Sequence, residues 1–450
     1  MRSLRSAAHL YLAAGPRGDT GDRHRFCGEA RPDWWIISQI AQRLGHRAAF
    51  AYEHPHQIFV EHAALSGIDN HGARAFDISG LANLTLAEYD ALEPLRWPVP
   101  ARGHPGTQRL LRDGRFQFAD GRARFVATVP REPTHRTDAE YPWVLNTGRV
   151  RDQWHTMTRT GYAPRLTGHT PEPYVEMHPQ DALLTGSRSG ELVRVSTRWG
   201  SMIGRLRLSG EVRRGTVFVP IHWNDAYASD ARVGALVNPV VDPVSGEPEL
   251  KHTPARIAPF IVSWHGFVLS RKPLARLDMT WWTLVRGKNF LRYELAGRRV
   301  YREWSTWARQ ALQVRDLEAD WIEYSDPAAG VYRAALLEQG RIAACLFISP
   351  RPDLPERSWL AGLFAKPRLE DTDRAGLLMG RPAERRADTG PVVCACFGVG
   401  RRVLCDAIAT GDLATVTEIG RALRAGTRCG SCVPEIKSLI EDVRAGRQCE

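Results

Sequence analysis

Long apolar runs are absent from this 450-residue sequence. No stretch approaches 18 consecutive apolar residues, so no helix is expected to span a membrane. Runs of five or more Lys or Arg are absent too, and the formal charge of +11 therefore lends little support to nucleic-acid binding. Lysine is scarce, and the positive excess sits on arginine. That pattern fits either a coding bias or an anionic ligand, since the guanidinium fork matches phosphate and carboxylate. There is no internal repeat and no low-complexity tract. Cysteine is nearly missing from the first three-quarters of the chain, where Cys27 is the only one before Cys345. An extracellular disulfide framework would not leave so long a stretch bare. The stretch Ala7–Ala14 is a poor match to a signal peptide, because His9 and Tyr11 interrupt its apolar run. A reducing, cytoplasmic setting is expected.

What remains is ordinary globular composition, 43% hydrophobic and 25% charged, with room for two to four domains. Residues 1–27 show no sustained period. A helix is predicted from Arg31 to Gly45, started by Pro32-Asp33, and another from Pro55 to Ser66 with Ile58, Phe59, His62 and Leu65 on one face. Asp120-Gly121, between the aromatic arms of Phe116–Val126, signals a hairpin. From Tyr141 to Pro259 short β-rich runs (Val144–Asn146, Leu192–Ser196, Met202–Leu208, Thr216–Pro220) alternate with turn residues, the pattern of a sandwich or barrel. Pro179–Leu184 is a helical insert. Residues 261–385 hold helices around Trp304–Arg315 and strands around Leu337–Ile348, and Leu377–Thr389 reads as a linker.

Six of the eight cysteines fall in the last 57 residues. Cys394-Ala-Cys396 and Cys429-Gly-Ser-Cys432 lie 32 residues apart, and two close pairs on two loops can surround one zinc ion or one iron–sulfur cluster. Two short helices, Gly400–Thr410 and Leu413–Leu423, separate the pairs, and Pro434-Glu-Ile opens a third. Cys405 and Cys449 fit no ligand spacing and read as plain thiols. In this order the features resemble the bacterioferritin-associated ferredoxin-like [2Fe-2S] domain. The resemblance implies Cys394, Cys396, Cys429 and Cys432 as metal ligands.

In the β-rich region a strand ends at Asn146-Thr147-Gly148, where glycine permits close approach of a ligand. Arg149, Arg151 and a run of hydroxyls around His155 can donate many hydrogen bonds to pyrophosphate and heterocycle edges, although a polar surface loop reads the same way. The segments Pro173–Ala182, Gly215–Trp223 and Asn238–Pro254 follow in the order of the C-terminal molybdopterin-dinucleotide-binding domain of the molybdopterin oxidoreductases. With Arg31–Ile37, Glu61–Gly67 and the cysteine module, the set resembles the C-terminal half of a bacterial assimilatory nitrate reductase catalytic subunit.

That resemblance implies an α+β multidomain chain, with a double-psi β-barrel for the dinucleotide and a small helical [2Fe-2S] domain. Its expected parts are an unmatched segment 1–27, a remnant of the molybdenum catalytic domain at 28–135 and the barrel at 136–260. An α/β connecting region at 261–385 and the ferredoxin-like domain at 386–450 complete it. The implied cofactors are molybdopterin guanine dinucleotide (Mo-bis-MGD) and a [2Fe-2S] cluster, with a [4Fe-4S] cluster only in an absent N-terminal half. Thr147, Gly148, Arg149, Trp154, His155, Thr156, Thr158, Asn238 and Lys251 are the implied cofactor-binding residues. His222 and Trp223 join them, though each serves equally as barrel packing. No catalytic residue is expected, because the molybdenum-binding cysteine is not among these 450 residues.

The implied activity is molybdenum-dependent reduction of nitrate to nitrite, with electrons from ferredoxin, flavodoxin or an NADH-dependent reductase subunit. On this reading the chain is a truncated or split portion, partnered by a missing N-terminal half and incomplete by itself, and neither nucleic acid nor membrane is a partner. The alternatives are a non-catalytic [2Fe-2S] electron-transfer or cofactor-binding protein and a formate dehydrogenase-like molybdoenzyme.

Overall fold

The computed structural model describes residues 29, 31–127, 129–275, 279–315, 319–382, 389–411 and 413–446. The reading of residues 1–27, and those of Cys27 and Cys449, fall outside them. Two compact units separate between Pro130 and Arg131, slightly before the boundary expected at 135.

In the first unit the two expected helices form at Asp33–Arg43 and Pro55–Gly67. The second begins with a capping box, in which the His54 ring and the Gln57 side chain satisfy each other's backbone N–H groups. Its buried face is Phe59, Ala63 and Ser66, packed with Ile78, Leu81 and Val99, whereas Leu65 is 54% exposed. The sequence pattern chose a neighbouring stripe, because both stripes have helical spacing. In the first helix only Ser38 and Ala41 are buried, so its apolar residues are largely open. The Phe116–Val126 hairpin does not form. Only a turn closes, with the Phe116 N–H donating to the Gly121 carbonyl at 2.9 Å. Its arms find no third strand or apolar face, and Phe125 is 99% exposed. An isolated hairpin is marginal in water.

The second unit opens with a closed barrel of six strands: β1 (Trp143–Gly148), β2 (Tyr174–Met177), β3 (Leu192–Ser196), β4 (Ser201–Leu208), β5 (Thr216–Pro220) and β6 (Thr253–Pro259). Around the barrel the order is β1-β5-β2-β4-β3-β6, closing onto β1. The pairs β1/β5 and β2/β4 are parallel and the rest antiparallel, the mixed closure expected of a double-psi barrel. Alternation along the strands sends Leu145, Val175, Met177, Val193, Val195, Met202, Leu206, Val217 and Val219 inward to one apolar core.

Residues 264–349 carry an antiparallel sheet and the helix Trp304–Ala311, and helices Arg357–Leu363 and Asp371–Leu377 follow, so the helix expected around 304–315 and the strands expected around 337–348 both form. The sheet's strands are β7 (Trp264–Ser270), β8 (Trp281–Gly287), β9 (Phe290–Gly297), β10 (Asp320–Asp326), β11 (Val331–Glu338) and β12 (Arg341–Ser349), in the order β10-β11-β12-β7-β9-β8. β7 and β12 are apolar along nearly their whole length, and such runs read as poorly from periodicity as a buried helix does. Both faces of this sheet are covered. Phe267 and Phe347 stack at 4.8 Å in one layer, and Trp264, Trp304 and Trp307 pack on the other. Leu192 and Ile203 of the barrel meet Trp281 and Ala296 of the sheet, which seals the two together.

The cysteine module follows. A short pair, β13 (Val392–Cys394) and β14 (Val399–Gly400), precedes helices Arg401–Gly411, Val416–Leu423 and Val433–Arg444. Leu404, Ile408, Ile419, Ile436, Leu439 and Ile440 make its core. Cys405, read as a plain thiol, is disulfide-bonded.

Candidate functional site

The loop after β1 is held in a conformation that a free chain would not choose. Asp152, His155 and Met157 all have positive φ (72°, 44° and 60°), the left-handed region that costs a non-glycine residue of order 1–3 kcal/mol. A second loop, after β5, pins it. Buried His222 accepts the Val150 N–H on Nε2 at 2.9 Å, and its Nδ1 contacts the His155 carbonyl at 2.6 Å. This pair of contacts requires the neutral tautomer with the proton on Nδ1. Asn224 donates to the Thr156 carbonyl at 3.0 Å, and the Tyr227 hydroxyl to the Met157 carbonyl at 3.0 Å. Gly161 is needed for this closeness, since a Cβ there would lie 2.4 Å from the Tyr227 hydroxyl oxygen.

Eight of the eleven residues singled out by resemblance fall into three groups. Thr147, Asn238 and Lys251 come together at the end of β1. The Thr147 hydroxyl donates to the Leu250 carbonyl at 3.0 Å, Lys251 donates to the Thr147 carbonyl, and Asn238 donates to the His252 carbonyl at 3.0 Å. These groups clasp the 238–253 segment to the barrel. Arg149, Trp154 and His155 form a second cluster, with the Arg149 guanidinium 4.4 Å from the Trp154 ring centre and the Trp154 and His155 rings 4.5 Å apart. Arg149, Trp154, His155, Thr156 and Thr158 are solvent-exposed, and Gly148 lies at the strand end beside the Phe218 ring. His222 and Trp223 form the third group and are buried, Trp223 against Met157 and Tyr227. They support the loop from beneath.

Burial and the nearby Arg149 charge hold His222 below its usual pKa of 6.5, which keeps the acceptor nitrogen free at neutral pH. Because the depressed value belongs to the folded state, this contribution is present above about pH 6.5 and is lost as pH falls below it. Replacing His222 with Leu leaves the Val150 N–H and His155 carbonyl without partners. The expected cost is about 1–3 kcal/mol. Faster amide exchange across residues 149–160, with the barrel strands unchanged, is the measurement that checks it.

The donor chemistry here fits a phosphorylated heterocyclic dinucleotide. An exposed guanidinium, an exposed indole and two exposed threonine hydroxyls line one loop. Beneath them the Gln153 Oε1 is buried without a partner, as are Glu249 Oε2 and His252 Nε2 on the clasped segment. Unpaired buried acceptors of this kind are costly unless a ligand or water completes them.

In the cysteine module Cys394 ends β13 and Cys396 sits in the next turn, with Cys429 in the loop before the last helix and Cys432 at its N-cap. The thiols meet two and two. Cys396 Sγ lies 3.3 Å from Cys429 Sγ, and Cys432 hydrogen-bonds Cys394. Burial, and then the neighbouring Cys394, push the Cys432 thiol up to about 11. The hydrogen bond with Cys429, followed by burial, raises Cys396. The Gly426 N–H donates to Cys432 and the Cys429 N–H to Cys396. Crowded thiols that disfavour each other's charge, ringed by N–H donors, fit a cationic iron–sulfur centre. Among the described residues no group of three or more His, Cys, Asp or Glu is placed to hold a metal ion.

The two sites touch. Arg151, on the loop after β1, donates to Glu435 at 2.6 Å and to the Val393 carbonyl at 2.7 Å, and the Ser431 hydroxyl donates to Asp152 at 3.1 Å. Sequence reading missed Ser431 and Asp152. The only local signal was a serine inside the Cys429–Cys432 pair.

Comparison with known proteins agrees with this geometry. Residues 143–254 match the family model for a molydopterin dinucleotide binding domain, and residues 392–442 match that for a BFD-like [2Fe-2S] binding domain. A nitrate reductase of Klebsiella oxytoca is 39% identical over 92% of this chain and 46% of its own length. The assimilatory nitrate reductase catalytic subunit of Bacillus subtilis is 34% identical over 52% of the chain and 31% of its own length. An F420-dependent formate dehydrogenase subunit alpha of Methanocaldococcus jannaschii is 30% identical over 50% and 30%. The chain thus spans at most about half the length of these relatives. It joins a molydopterin dinucleotide binding domain, the closed barrel, to a BFD-like [2Fe-2S] binding domain, the cysteine module.

Proposed function

We propose that this chain works within a molybdenum-dependent nitrate reductase serving nitrate assimilation in the cytoplasm. The observation that carries the reading is the union of two cofactor domains in one chain, with the dinucleotide loop of the barrel seated on the cysteine module. The similarity to the Klebsiella oxytoca enzyme along nearly the whole chain supports it. Bound molybdopterin guanine dinucleotide would supply a metal that exchanges two electrons with nitrate, and the [2Fe-2S] cluster would relay electrons singly.

The chain's own residues do the holding. Arg149 meets phosphate, Trp154 and His155 offer ring faces, and Thr156 and Thr158 offer hydroxyls. Thr147, Asn238 and Lys251 keep the 238–253 segment against the strand end, with Gly148 leaving room for the ligand's approach. His222 and Trp223 fix the loop's shape. Cys394, Cys396, Cys429 and Cys432 ligate the cluster. Electrons come from ferredoxin, flavodoxin or an NADH-dependent reductase subunit. No residue of this chain is assigned to the molybdenum or to bond breaking. A partner polypeptide corresponding to the remaining length of the relatives would complete the pocket.

Replacing Cys432 with Ala in the source organism tests the reading. The expected result is loss of growth on nitrate as sole nitrogen source, with growth on ammonium retained. Unchanged growth on nitrate would overturn it. If formate-dependent dye reduction disappeared instead, the formate dehydrogenase-like alternative would replace it, an alternative supported by the Methanocaldococcus jannaschii relative.

A further inference from the structure

One hydroxyl group lies between the two domains with two acceptors to choose from. Ser431 Oγ is 3.2 Å from Cys429 Sγ and 3.1 Å from Asp152 Oδ1. It carries a single proton. With all four cysteines deprotonated as cluster ligands, Cys429 Sγ and the Asp152 carboxylate compete for that proton, and the carboxylate is the stronger acceptor. Asp152 is well placed to win. Its side chain is only 4% exposed, its backbone is fixed at φ 72°, and Arg151 Nε contacts its other oxygen at 3.2 Å. Arg151 also reaches Glu435 at 2.6 Å and the Val393 carbonyl, next to ligand Cys394, at 2.7 Å. The carboxylate is therefore held in place by a contact that spans both domains.

We propose that Asp152, on the barrel's dinucleotide loop, sets the redox poise of the [2Fe-2S] cluster by drawing the Ser431 hydroxyl away from the Cys429 sulfur. The inference rests on the four-cysteine ligation described above. Reduction adds one electron to the cluster and one negative charge. A hydrogen bond to a ligand sulfur stabilises that added charge and raises the potential, and a nearby carboxylate opposes it and lowers the potential. Seating the module on the barrel applies both effects in the same direction, since it brings the carboxylate close and removes the hydrogen bond. With Asp152 in this position the cluster is then a stronger one-electron reductant than it would be without that carboxylate.

The test is a redox titration of the full chain, with its cluster reconstituted anaerobically, dithionite as reductant and the signal of the reduced cluster as readout. Asp152→Asn keeps the side chain's size, suits the left-handed backbone and leaves the Arg151–Glu435 contact intact. It should move the midpoint to a more positive value with iron and sulfide content unchanged. Ser431→Ala alone should move it less, because in the native protein that hydroxyl is turned toward Asp152. In the Ser431→Ala background the shift caused by Asp152→Asn should shrink. A clear drop in potential for Ser431→Ala, with none for Asp152→Asn, would mean that the hydroxyl already serves the sulfur and would overturn the proposal. Equal Asp152→Asn shifts in both backgrounds would assign the effect to charge alone and overturn it as well. A native chain that took up no iron and sulfide would overturn the ligation and this inference together. A loaded chain whose potential ignores Asp152 would overturn this inference alone.

Discussion

Anaerobically reconstituted chain carrying Cys432→Ala should lose its iron and acid-labile sulfide almost completely, whereas Cys345→Ala should retain both. Cys432 is buried at the N-cap of the last helix, so no exposed neighbour can swing into its place. Cys345 lies in the middle of β12, fully buried among Phe267, Leu337 and Phe347. Burial pushes its thiol up to about 12, so it offers no thiolate to metal at neutral pH. The loss should reach beyond the cluster. Cys394, Cys432 and the helix residues Leu404, Ile436 and Ile440 share one small core, and ligation by residues from both ends of that core couples metal binding to folding. Residues 392–442 should become protease-sensitive in the variant while the barrel stays intact. Stoichiometric zinc without sulfide in the unaltered chain would sink the cluster assignment.

Replacing Glu294 with Ala should cost the second unit about 3–5 kcal/mol, the usual penalty for leaving a buried charge unpaired. Glu294, on β9, is 2% exposed and receives Arg292 at 2.7 Å and Arg357 at 2.7 Å. Burial alone would raise its carboxyl pKa. The Arg292 and Arg357 guanidiniums outweigh burial and hold it below the ordinary value of 4.5. The folded state therefore binds fewer protons than the unfolded chain, and the contribution of Glu294 is complete above about pH 4.5 and lost as pH falls through the folded value. Urea midpoints measured from pH 7 to pH 3 should fall for the native chain on acidification, and the Ala variant should start low and change less. Glu294→Gln separates charge from shape, and it should fall between the two. A variant as stable as the native chain at pH 7 would contradict the argument.

The two cysteine pairs were the more legible part of the candidate site in the sequence. Cys394, Cys396, Cys429 and Cys432 announce themselves by spacing, and the helices between them by their caps and apolar period. The residues proposed to hold the dinucleotide stood out as a set and not by role. Thr147, Asn238 and Lys251 were expected to reach a ligand, and in this structure their side chains bind the chain's own carbonyls. A threonine, asparagine or lysine has no local signature that tells which partner it takes. The partner here is set by a crossing of segments about a hundred residues apart, such as Thr147 with Leu250.

By itself the sequence determined what short-range physics controls. It placed four of the six strands of the barrel, where β-rich runs lie between turn residues, and the helices, where caps and period agree. It also marked the two cysteine pairs and excluded a membrane-spanning helix. Tertiary structure alone decided which of those elements found partners. The Phe116–Val126 arms had strand-like residues and no sheet to join, so a turn formed without a ladder. Glu294 looked like any strand carboxylate until Arg357, 63 residues away, closed on it. The loop after β1 read as a ligand-binding loop, and nothing local showed that it also meets the cysteine module, where Ser431 and Asp152 come together across 279 positions. Periodicity reports which face of an element is apolar. It carries no information about which distant side chain arrives there, because that contact exists only once the intervening chain has packed.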